Sequence, residues 1–163
     1  MRAIWLVVVL TSAFLGTAAA QTLEQQWAWC RDDNFERQIR ACSAVIRSSR
    51  HTPENLARAF FNRGRAWSEK GQDDRAIQDF DQAIRLDPEY PEAFNSRGVA
   101  YAGKGQYQRA IEDYDQAIQL DPNYAIAIYN RGLAARNLGR EDEAAGYFAK
   151  AKQVGPRLMP PKE

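Results

Sequence analysis

A 34-residue repeat in the C-terminal two-thirds of the chain constrains its fold more than any other feature. When residues 54–87 are shifted by 34 positions they fall on residues 88–121, and 18 of the 34 positions are identical. A second shift reaches residues 123–156 more loosely, through positions such as Gly132 and Ala144. Self-similarity at this period indicates stacked copies of one supersecondary unit, none of which buries its apolar face alone.

Each repeat divides into two helices. In the second repeat Phe94, Gly98 and Tyr101 recur at spacings of four and three, which is typical of one face of an α-helix. Gly105 then ends the first helix, because glycine readily adopts the left-handed conformation at a helix C-terminus. Pro122 ends the second helix, because the residue before proline is pushed out of the α region. The pattern predicts a helix, a glycine turn, a second helix and a proline stop.

Glycine also recurs in the middle of each first helix, at Gly64, Gly98 and Gly132. Glycine costs ~1 kcal/mol relative to alanine in a helix interior. Its recurrence therefore predicts that a neighbouring helix approaches too closely for a Cβ atom. The aromatic residues of the second helices, such as Phe80 and Tyr114, are expected to fill the core.

Because of these recurring residues, the chain resembles members of the tetratricopeptide repeat family. The first two repeats carry the large, small and proline positions of that family at Phe60, Gly64, Trp67, Ala76, Phe80, Ala83 and Pro88, and at Phe94, Gly98, Tyr101, Ala110, Tyr114, Ala117 and Pro122. The third repeat fits through Gly132, Ala144, Phe148, Ala151 and Pro156, but has Ile128 and Ala135 where larger aromatic residues are usual. The resemblance implies an all-α fold, a right-handed superhelical stack of antiparallel helix pairs.

The chain is predicted to divide into segments that follow this register. The expected segments are a signal peptide at 1–20, a degenerate helical hairpin at 21–52, repeats at 53–87, 88–121 and 122–156, and a C-terminal tail at 157–163.

Residues 1–20 have the plan of a secretory signal. Arg2 gives a basic start, residues 3–16 are almost wholly apolar, and small residues follow up to Ala20, after which we expect cleavage. A retained N-terminal anchor is the alternative, although a membrane span needs ~20 apolar residues. We therefore expect an exported protein, periplasmic or else secreted, with no membrane insertion after cleavage.

The two cysteines, Cys30 and Cys42, both lie in the predicted mature chain. Aligned with the first repeat, Cys42 falls at the Phe80 position and Cys30 one residue past the equivalent of Trp67, positions that are expected to face each other. Exported proteins meet oxidising conditions, so the pair is expected to form a disulfide that stabilises the hairpin by ~3 kcal/mol. Two reduced, buried thiols are the alternative. The arrangement resembles exported bacterial proteins in which a cysteine-bearing hairpin precedes such repeats.

The sequence offers few groups for catalysis. His51 is the only histidine, so neither a histidine-based triad nor a multi-histidine metal site is available, and we expect it to be solvated. The cysteines do not form a C-x-x-C motif, and the glycines do not form a phosphate-binding loop. We expect a protein without enzymatic activity, cofactor or metal. A thiol-dependent enzyme using Cys30 or Cys42 is the less favoured alternative.

An arginine precedes each mid-helix glycine, at Arg63, Arg97 and Arg131. In the first two repeats, aspartates flank the aromatic residue of the paired helix, at Asp79, Asp81, Asp113 and Asp115. We expect each of these arginines to pair within its own repeat and so to fix helix register. In the third repeat the matching positions hold Tyr147 and Ala149, so Arg131 is expected to be solvated, or else free to bind a partner.

In tetratricopeptide proteins the first helices line a concave groove that takes a peptide or a partner helix. Carried over position by position, the groove consists of Arg58, Phe61, Asn62, Arg65, Glu92, Asn95, Ser96, Val99, Ile126, Tyr129, Asn130 and Leu133. Arg58, Asn62 and Asn130 partly match residues with which some members grip a C-terminal carboxylate. Glu92 and Ile126 stand where further cations are wanted, so that activity is not assigned.

We expect a protein or peptide partner, with a passive role in cell-envelope structure as the alternative. Cleavage after Ala20 leaves 21 basic and 21 acidic residues, a balance that argues against a nucleic-acid partner. The tail after Val154 provides no polar capping helix, which terminal repeats normally need. Either Leu158 and Met159 fold back over the last helix, or the last repeat associates with a second copy.

Overall fold

The structure is a computed structural model that describes residues 23–48 and 51–155. These residues form helices and turns, and they include no strand. The eight helices are α1 (Leu23–Trp29), α2 (Phe35–Arg47), α3 (Pro53–Glu69), α4 (Asp73–Leu86), α5 (Pro91–Gly103), α6 (Tyr107–Leu120), α7 (Ala125–Asn137) and α8 (Glu141–Val154). The predicted all-α class is confirmed. The predicted signal peptide and the tail at 157–163 lie outside the described residues.

The first helix of each repeat ends on a glycine in the left-handed conformation. The φ angles of Gly71, Gly105 and Gly139 are 69°, 72° and 74°. After Gly71, the N–H of Gln72 donates to the carbonyl oxygen of Trp67 at 2.9 Å, the hydrogen bond of a Schellman motif. The same bond recurs in the next two repeats. The predicted glycine turns are confirmed.

Consecutive helices pack against each other, so that the four helix pairs form one stack. The first helices also contact one another across repeats, α3 with α5 and α5 with α7. Within the described ranges, the second helices α4, α6 and α8 do not contact each other in this way. The stack therefore curves, with the first helices on its inner side.

An aromatic ring from the second helix of each repeat seats against the mid-helix glycine of the first. The three pairs are Gly64 with Phe80, Gly98 with Tyr114 and Gly132 with Phe148. A Cβ atom on Gly98 would lie 2.6 Å from Cε1 of Tyr114, well inside van der Waals contact. The predicted reason for the glycines, a close helix approach, is therefore confirmed.

The N-terminal hairpin of α1 and α2 has a different core. A disulfide joins Cys30, just after α1, to Cys42 on α2, with the Cα atoms 4.7 Å apart. Both cysteines are 0% exposed and pack with Val45, and with Ala59 from α3. A disulfide therefore occupies the place where each later repeat has its aromatic ring.

No helix in residues 23–48 or 51–155 is both long enough and apolar enough to span a bilayer.

Candidate partner-binding surface

Arg97 links two consecutive repeats through its guanidinium group. Its Nε and Nη2 donate to the two carboxylate oxygens of Asp113 at 2.9 and 2.6 Å, and its Nη1 donates to Asp81 of the preceding repeat at 2.6 Å. Asp113 is 5% exposed. Burial by itself would lower the pKa of Arg97, but its hydrogen bonds to the carboxylates of Asp113 and Asp81, and their negative charge, raise that pKa above its ordinary value. The guanidinium therefore stays charged and fixes the register of the stack.

Arg63 makes the equivalent contacts at the start of the repeats. It binds both carboxylate oxygens of Asp79 at 2.7 Å, and its Nη1 donates to Oγ of Ser43 at 2.9 Å. In the alignment of α2 with α4, Ser43 stands where the first repeat has Asp81. Each arginine was expected to pair within its own repeat, and that expectation was incomplete, because the side chain also reaches back to the preceding helix pair.

Arg131 was expected to be solvated or free to bind, and both expectations were wrong. The residue is 8% exposed. Its Nε donates to Asp115 of the preceding repeat at 3.0 Å, its Nη1 to Glu143, and it lies over the ring of Tyr147 at 4.0 Å from the centroid. The aspartates missing from its own repeat are thus replaced by Asp115 of the preceding repeat and by Glu143, which stands at a different position of the third repeat. We call Arg63, Arg97, Arg131 and these partners the arginine ladder.

A sequence signal for the cross-repeat half of the ladder exists. Asp81 precedes Arg97, and Asp115 precedes Arg131, by 16 residues in each case. Two residues that are 16 apart and lie on different helices of a stack come into contact only if consecutive repeats are rotated relative to each other by a suitable angle. That rotation is set by tertiary packing, which is why the spacing alone did not reveal the contact.

The predicted groove residues lie on α3, α5 and α7, the inner side of the stack. Most have accessible side chains. Five are exposed, namely Arg58, Arg65, Glu92, Val99 and Ile126, and five are half-buried, namely Asn62, Ser96, Tyr129, Asn130 and Leu133.

Two predicted groove residues lie beneath the surface. Phe61 is 9% exposed, and its ring packs on Tyr90 and Phe80 at centroid distances of 4.9 and 6.0 Å. Asn95 is 7% exposed and accepts a hydrogen bond from Nδ2 of Asn130 at 3.1 Å. These two residues form the floor of the surface. Phe61 packs α3 against α4 and the start of α5, and Asn95 joins α5 to α7.

The inner surface changes character along its length. Arg58 and Arg65 make the α3 end basic, and Glu92 follows at the start of α5. Val99 and Ile126, each 43% exposed, make the far part apolar. We call this inner face of α3, α5 and α7 the concave surface.

Two cavities lie at the N-terminal end of the concave surface. The first, of 480 Å³, is lined by Trp27, Arg31, Asn55, Arg58, Asn62 and Tyr90. The second, of 530 Å³, is lined by Arg31, Asp32, Asp33, Phe35, Gln38, Asn62, Arg65, Ala66 and Glu69. Trp27 and Arg31 belong to the N-terminal hairpin and were not predicted as site residues. The one feature of the sequence that could have indicated this site is that Arg31 directly follows the disulfide cysteine Cys30.

His51 was expected to be solvated, but it is half-buried. Its ring stands edge-on to Trp27 at 5.3 Å between centroids, and its Nε2 is buried without a hydrogen-bond partner among the described residues. Across residues 23–48 and 51–155, no three His, Cys, Asp or Glu side chains cluster in a way that could hold a metal ion.

The stacked helix pairs, the glycine–ring contacts and an accessible inner surface define a helical-repeat solenoid of the kind that presents a binding surface. Profiles of the tetratricopeptide repeat match residues 64–105, 91–124 and 113–145. The chain belongs to the tetratricopeptide repeat family. Comparison with curated proteins found no match.

Solved structures agree with this assignment. The crystal structure of MamA is 26% identical, with a TM-score of 0.72 over 83% of this chain and 77% of the MamA chain. The second tetratricopeptide domain of Spaghetti (RPAP3), bound to the HSP90 peptide SRMEEVD, is 30% identical, with a TM-score of 0.61 over 62% of this chain and 94% of that domain. The Sgt2 domain from Aspergillus fumigatus is 26% identical, with a TM-score of 0.60 over 62% of this chain and 67% of that one. These similarities confirm the helical solenoid fold.

Proposed function

We propose that this protein is a non-enzymatic interaction module that holds a peptide, or a segment of a partner protein, on the concave surface. The observation that carries the proposal is the exposure of two large apolar side chains, Val99 on α5 and Ile126 on α7, on the inner side of the stack. Val99 lines a cavity together with the exposed Arg65. Exposed apolar side chains bordered by charge are typical of interaction sites.

The structural neighbours support this proposal. The Spaghetti domain, at 30% identity, was solved with a peptide bound. Family members are in general interaction modules and not enzymes. Both cysteines are joined in a buried disulfide, so neither provides the free thiolate that the alternative of a thiol-dependent enzyme requires.

Substitution of the exposed apolar residues tests the concave surface. We expect the double variant Val99→Asp, Ile126→Asp to lose the partners that the wild type captures from the exported fraction, because it places carboxylates where apolar contact is needed. The matched control is Leu120→Asp, which changes a leucine that is 39% exposed on α6, a second helix. Phe61 is unsuitable for this test because it is buried.

Quantitative mass spectrometry of the captured proteins, with circular dichroism to verify folding, gives the readout. A double variant that folds and keeps every partner retained by the Leu120→Asp control would contradict the proposal. A passive structural role predicts that outcome.

We propose further that the protein is exported and that its signal is cleaved after Ala20. The signal-like residues 1–20 and the Cys30–Cys42 disulfide support this, because disulfides persist in oxidising compartments. N-terminal sequencing of the protein from its native host should begin at Gln21. A chain that keeps Met1 and sediments with membranes would instead identify the segment as a retained anchor.

Self-association through the last repeat stays a prediction. On α8, the small side chains of Ala145 and Ala149 are exposed together with Gly146. Sedimentation equilibrium over a range of concentrations tests it, and a strictly monomeric mass at the highest concentration would contradict it.

A further inference from the structure

The first helix of the N-terminal hairpin does not continue the inner wall of the stack. α3 contacts α5 and α5 contacts α7, but within the described residues α1 and α3 make no such contact. The 480 Å³ cavity lies between them, with Trp27 and Arg31 on one wall and Asn55, Arg58 and Asn62 on the other. We call this cavity, which Tyr90 also lines, the N-terminal cleft.

The N-terminal cleft is positively charged. Arg31 and Arg58 face it from opposite walls, the other polar side chains are the amides of Asn55 and Asn62 and the hydroxyl of Tyr90, and no carboxylate lines it. The neighbouring 530 Å³ cavity is different, because three carboxylates line it together with its two arginines. The N-terminal cleft is therefore the part of the inner surface that favours an anion.

The arginines of the cleft also differ from those of the arginine ladder. Arg63, Arg97 and Arg131 each bind at least one carboxylate. Arg31 and Arg58 are exposed, and among the described residues neither takes part in an ion pair. Arg31 also lines the neighbouring cavity, whose carboxylates are Asp32, Asp33 and Glu69, but it pairs directly with none of them. Two exposed guanidinium groups without a direct ion pair, across one concave space, attract carboxylates and bind them through charge-assisted hydrogen bonds.

Two aromatic residues give the cleft a rigid apolar part. Trp27 is half-buried and is held edge-on by His51. Tyr90 packs on Phe61 at 4.9 Å between ring centroids. Burial, together with the charge of Glu92, raises the pKa of Tyr90 to about 12. Its hydroxyl therefore stays protonated at neutral pH and can donate a hydrogen bond to an oxygen of a ligand.

We propose that the N-terminal cleft binds an acidic segment of a partner peptide. A side-chain carboxylate of the segment lies between Arg31 and Arg58, and an adjacent apolar side chain packs on Trp27. The inference rests on the proposed interaction function and specifies the chemistry of the partner at one end of the concave surface.

The disulfide positions one wall of this site. Arg31 directly follows Cys30, which is tied to Cys42 on α2, and the carbonyl oxygen of Cys30 accepts a hydrogen bond from Nε2 of Gln38 at 3.3 Å. α1 has only seven residues, and among the described helices its backbone lies close to that of α2 alone. Reduction should therefore release Arg31 from its place opposite Arg58 while leaving α3 to α8 folded.

Selection of peptides tests the proposal without knowledge of the natural partner. A random octapeptide library is selected on the oxidised wild-type protein, and affinities of enriched peptides are measured by fluorescence anisotropy. We expect enrichment of Asp or Glu next to an apolar residue. Replacing the acids by Asn or Gln, or introducing Arg31→Gln or Arg58→Gln, should each weaken binding about tenfold, as expected for loss of a charged hydrogen bond. Arg85→Gln, an exposed arginine on α4, is the matched control and should bind as the wild type does.

The outcomes separate the cleft from the concave surface as a whole. Peptides without acidic enrichment, or full affinity of the Arg31→Gln variant, would overturn the cleft proposal. If such peptides still lose binding in the Val99→Asp, Ile126→Asp variant, the interaction function stands without the cleft. Displacement of the peptide by inorganic phosphate at equal ionic strength would identify a phosphate site and would also overturn it. Treatment with dithiothreitol should weaken peptide binding as much as Arg31→Gln does. Unchanged affinity after complete reduction would show that the disulfide does not position Arg31.

Discussion

The N-terminal hairpin and the three repeats solve the same packing problem differently. In each repeat a glycine in a first helix of 13 or 17 residues admits an aromatic ring from the second helix. In the hairpin the first helix has seven residues, and a disulfide stands at the place of the ring. A helix of two turns buries too little apolar surface to hold itself against its partner. A covalent link is therefore used where burial is insufficient.

The electrostatic contacts show the same contrast. Between repeats, Arg97 and Arg131 each reach an aspartate of the preceding unit. Between the first repeat and the hairpin, Arg63 reaches the neutral hydroxyl of Ser43. The arginine ladder thus lacks an inter-unit ion pair at the hairpin, although Lys70 after α3 also pairs with Glu36 of α2. Four predictions would break or sharpen this comparison.

Removing a ring from a repeat should have the largest effect. Tyr114 is 2% exposed and fills the space over Gly98. We expect Tyr114→Ala to lower the free energy of unfolding by about 4 kcal/mol, because a large buried side chain is lost and a cavity remains. Urea denaturation measures this, and Tyr107→Ala, at a half-buried position on the same helix, is the control. Equal losses for the two variants would show that the glycine–ring contact is not central to the repeat.

Breaking the arginine ladder in the middle should cost more than breaking it at the end. Arg97→Met leaves Asp113, whose side chain is 6% exposed, as a buried charge without its partner, and we expect a loss of about 3–4 kcal/mol. Arg131→Met leaves Asp115 and Glu143, whose side chains are 46% and 34% exposed and can be hydrated, so we expect about 1 kcal/mol.

Thermal and urea denaturation of the two ladder variants provide the comparison. If Arg131→Met is as destabilising as Arg97→Met, exposure of the partner carboxylates does not decide the cost.

Loss of the disulfide should destabilise the hairpin markedly but should leave the rest of the stack almost unaffected. We expect reduction, or Cys30→Ala with Cys42→Ala, to destabilise the hairpin by about 3 kcal/mol. Hydrogen exchange should then rise in residues 23–48 while α5 to α8 keep their protection, because the hairpin contacts the stack only through α2 and α3. Uniformly faster exchange across the repeats would show that hairpin and stack unfold as one unit.

Completing the ladder at the hairpin should have the smallest effect. Ser43→Asp places a carboxylate where Asp81 and Asp115 stand in the repeats, within reach of Arg63. We expect a gain of about 0.5 kcal/mol, because Arg63 already binds Asp79 and the new pair is partly hydrated. The gain should vanish in an Arg63→Met background. A gain that persists there would have another origin.

The sequence predicted most of what happens inside one repeat. The turns at Gly71, Gly105 and Gly139 and the close approach at Gly98 were predicted because helix ends and i, i+4 spacings are local properties of the chain. The burial of Phe61, and the place of Trp27 opposite α3, were not predicted. Both depend on how one helix pair is oriented relative to its neighbour.

The repeat period by itself thus determined the helices, their pairing and the small and large positions that pack within a pair. The tertiary structure alone decided that Arg131 is held by Asp115, and that Arg31 faces Arg58 across an open cleft. The physical reason is that a period of 34 residues states that units recur, whereas the rotation and separation between them come from the shapes of the packed side chains. Contacts between units are set by that rotation, and so are the surfaces that a partner would meet.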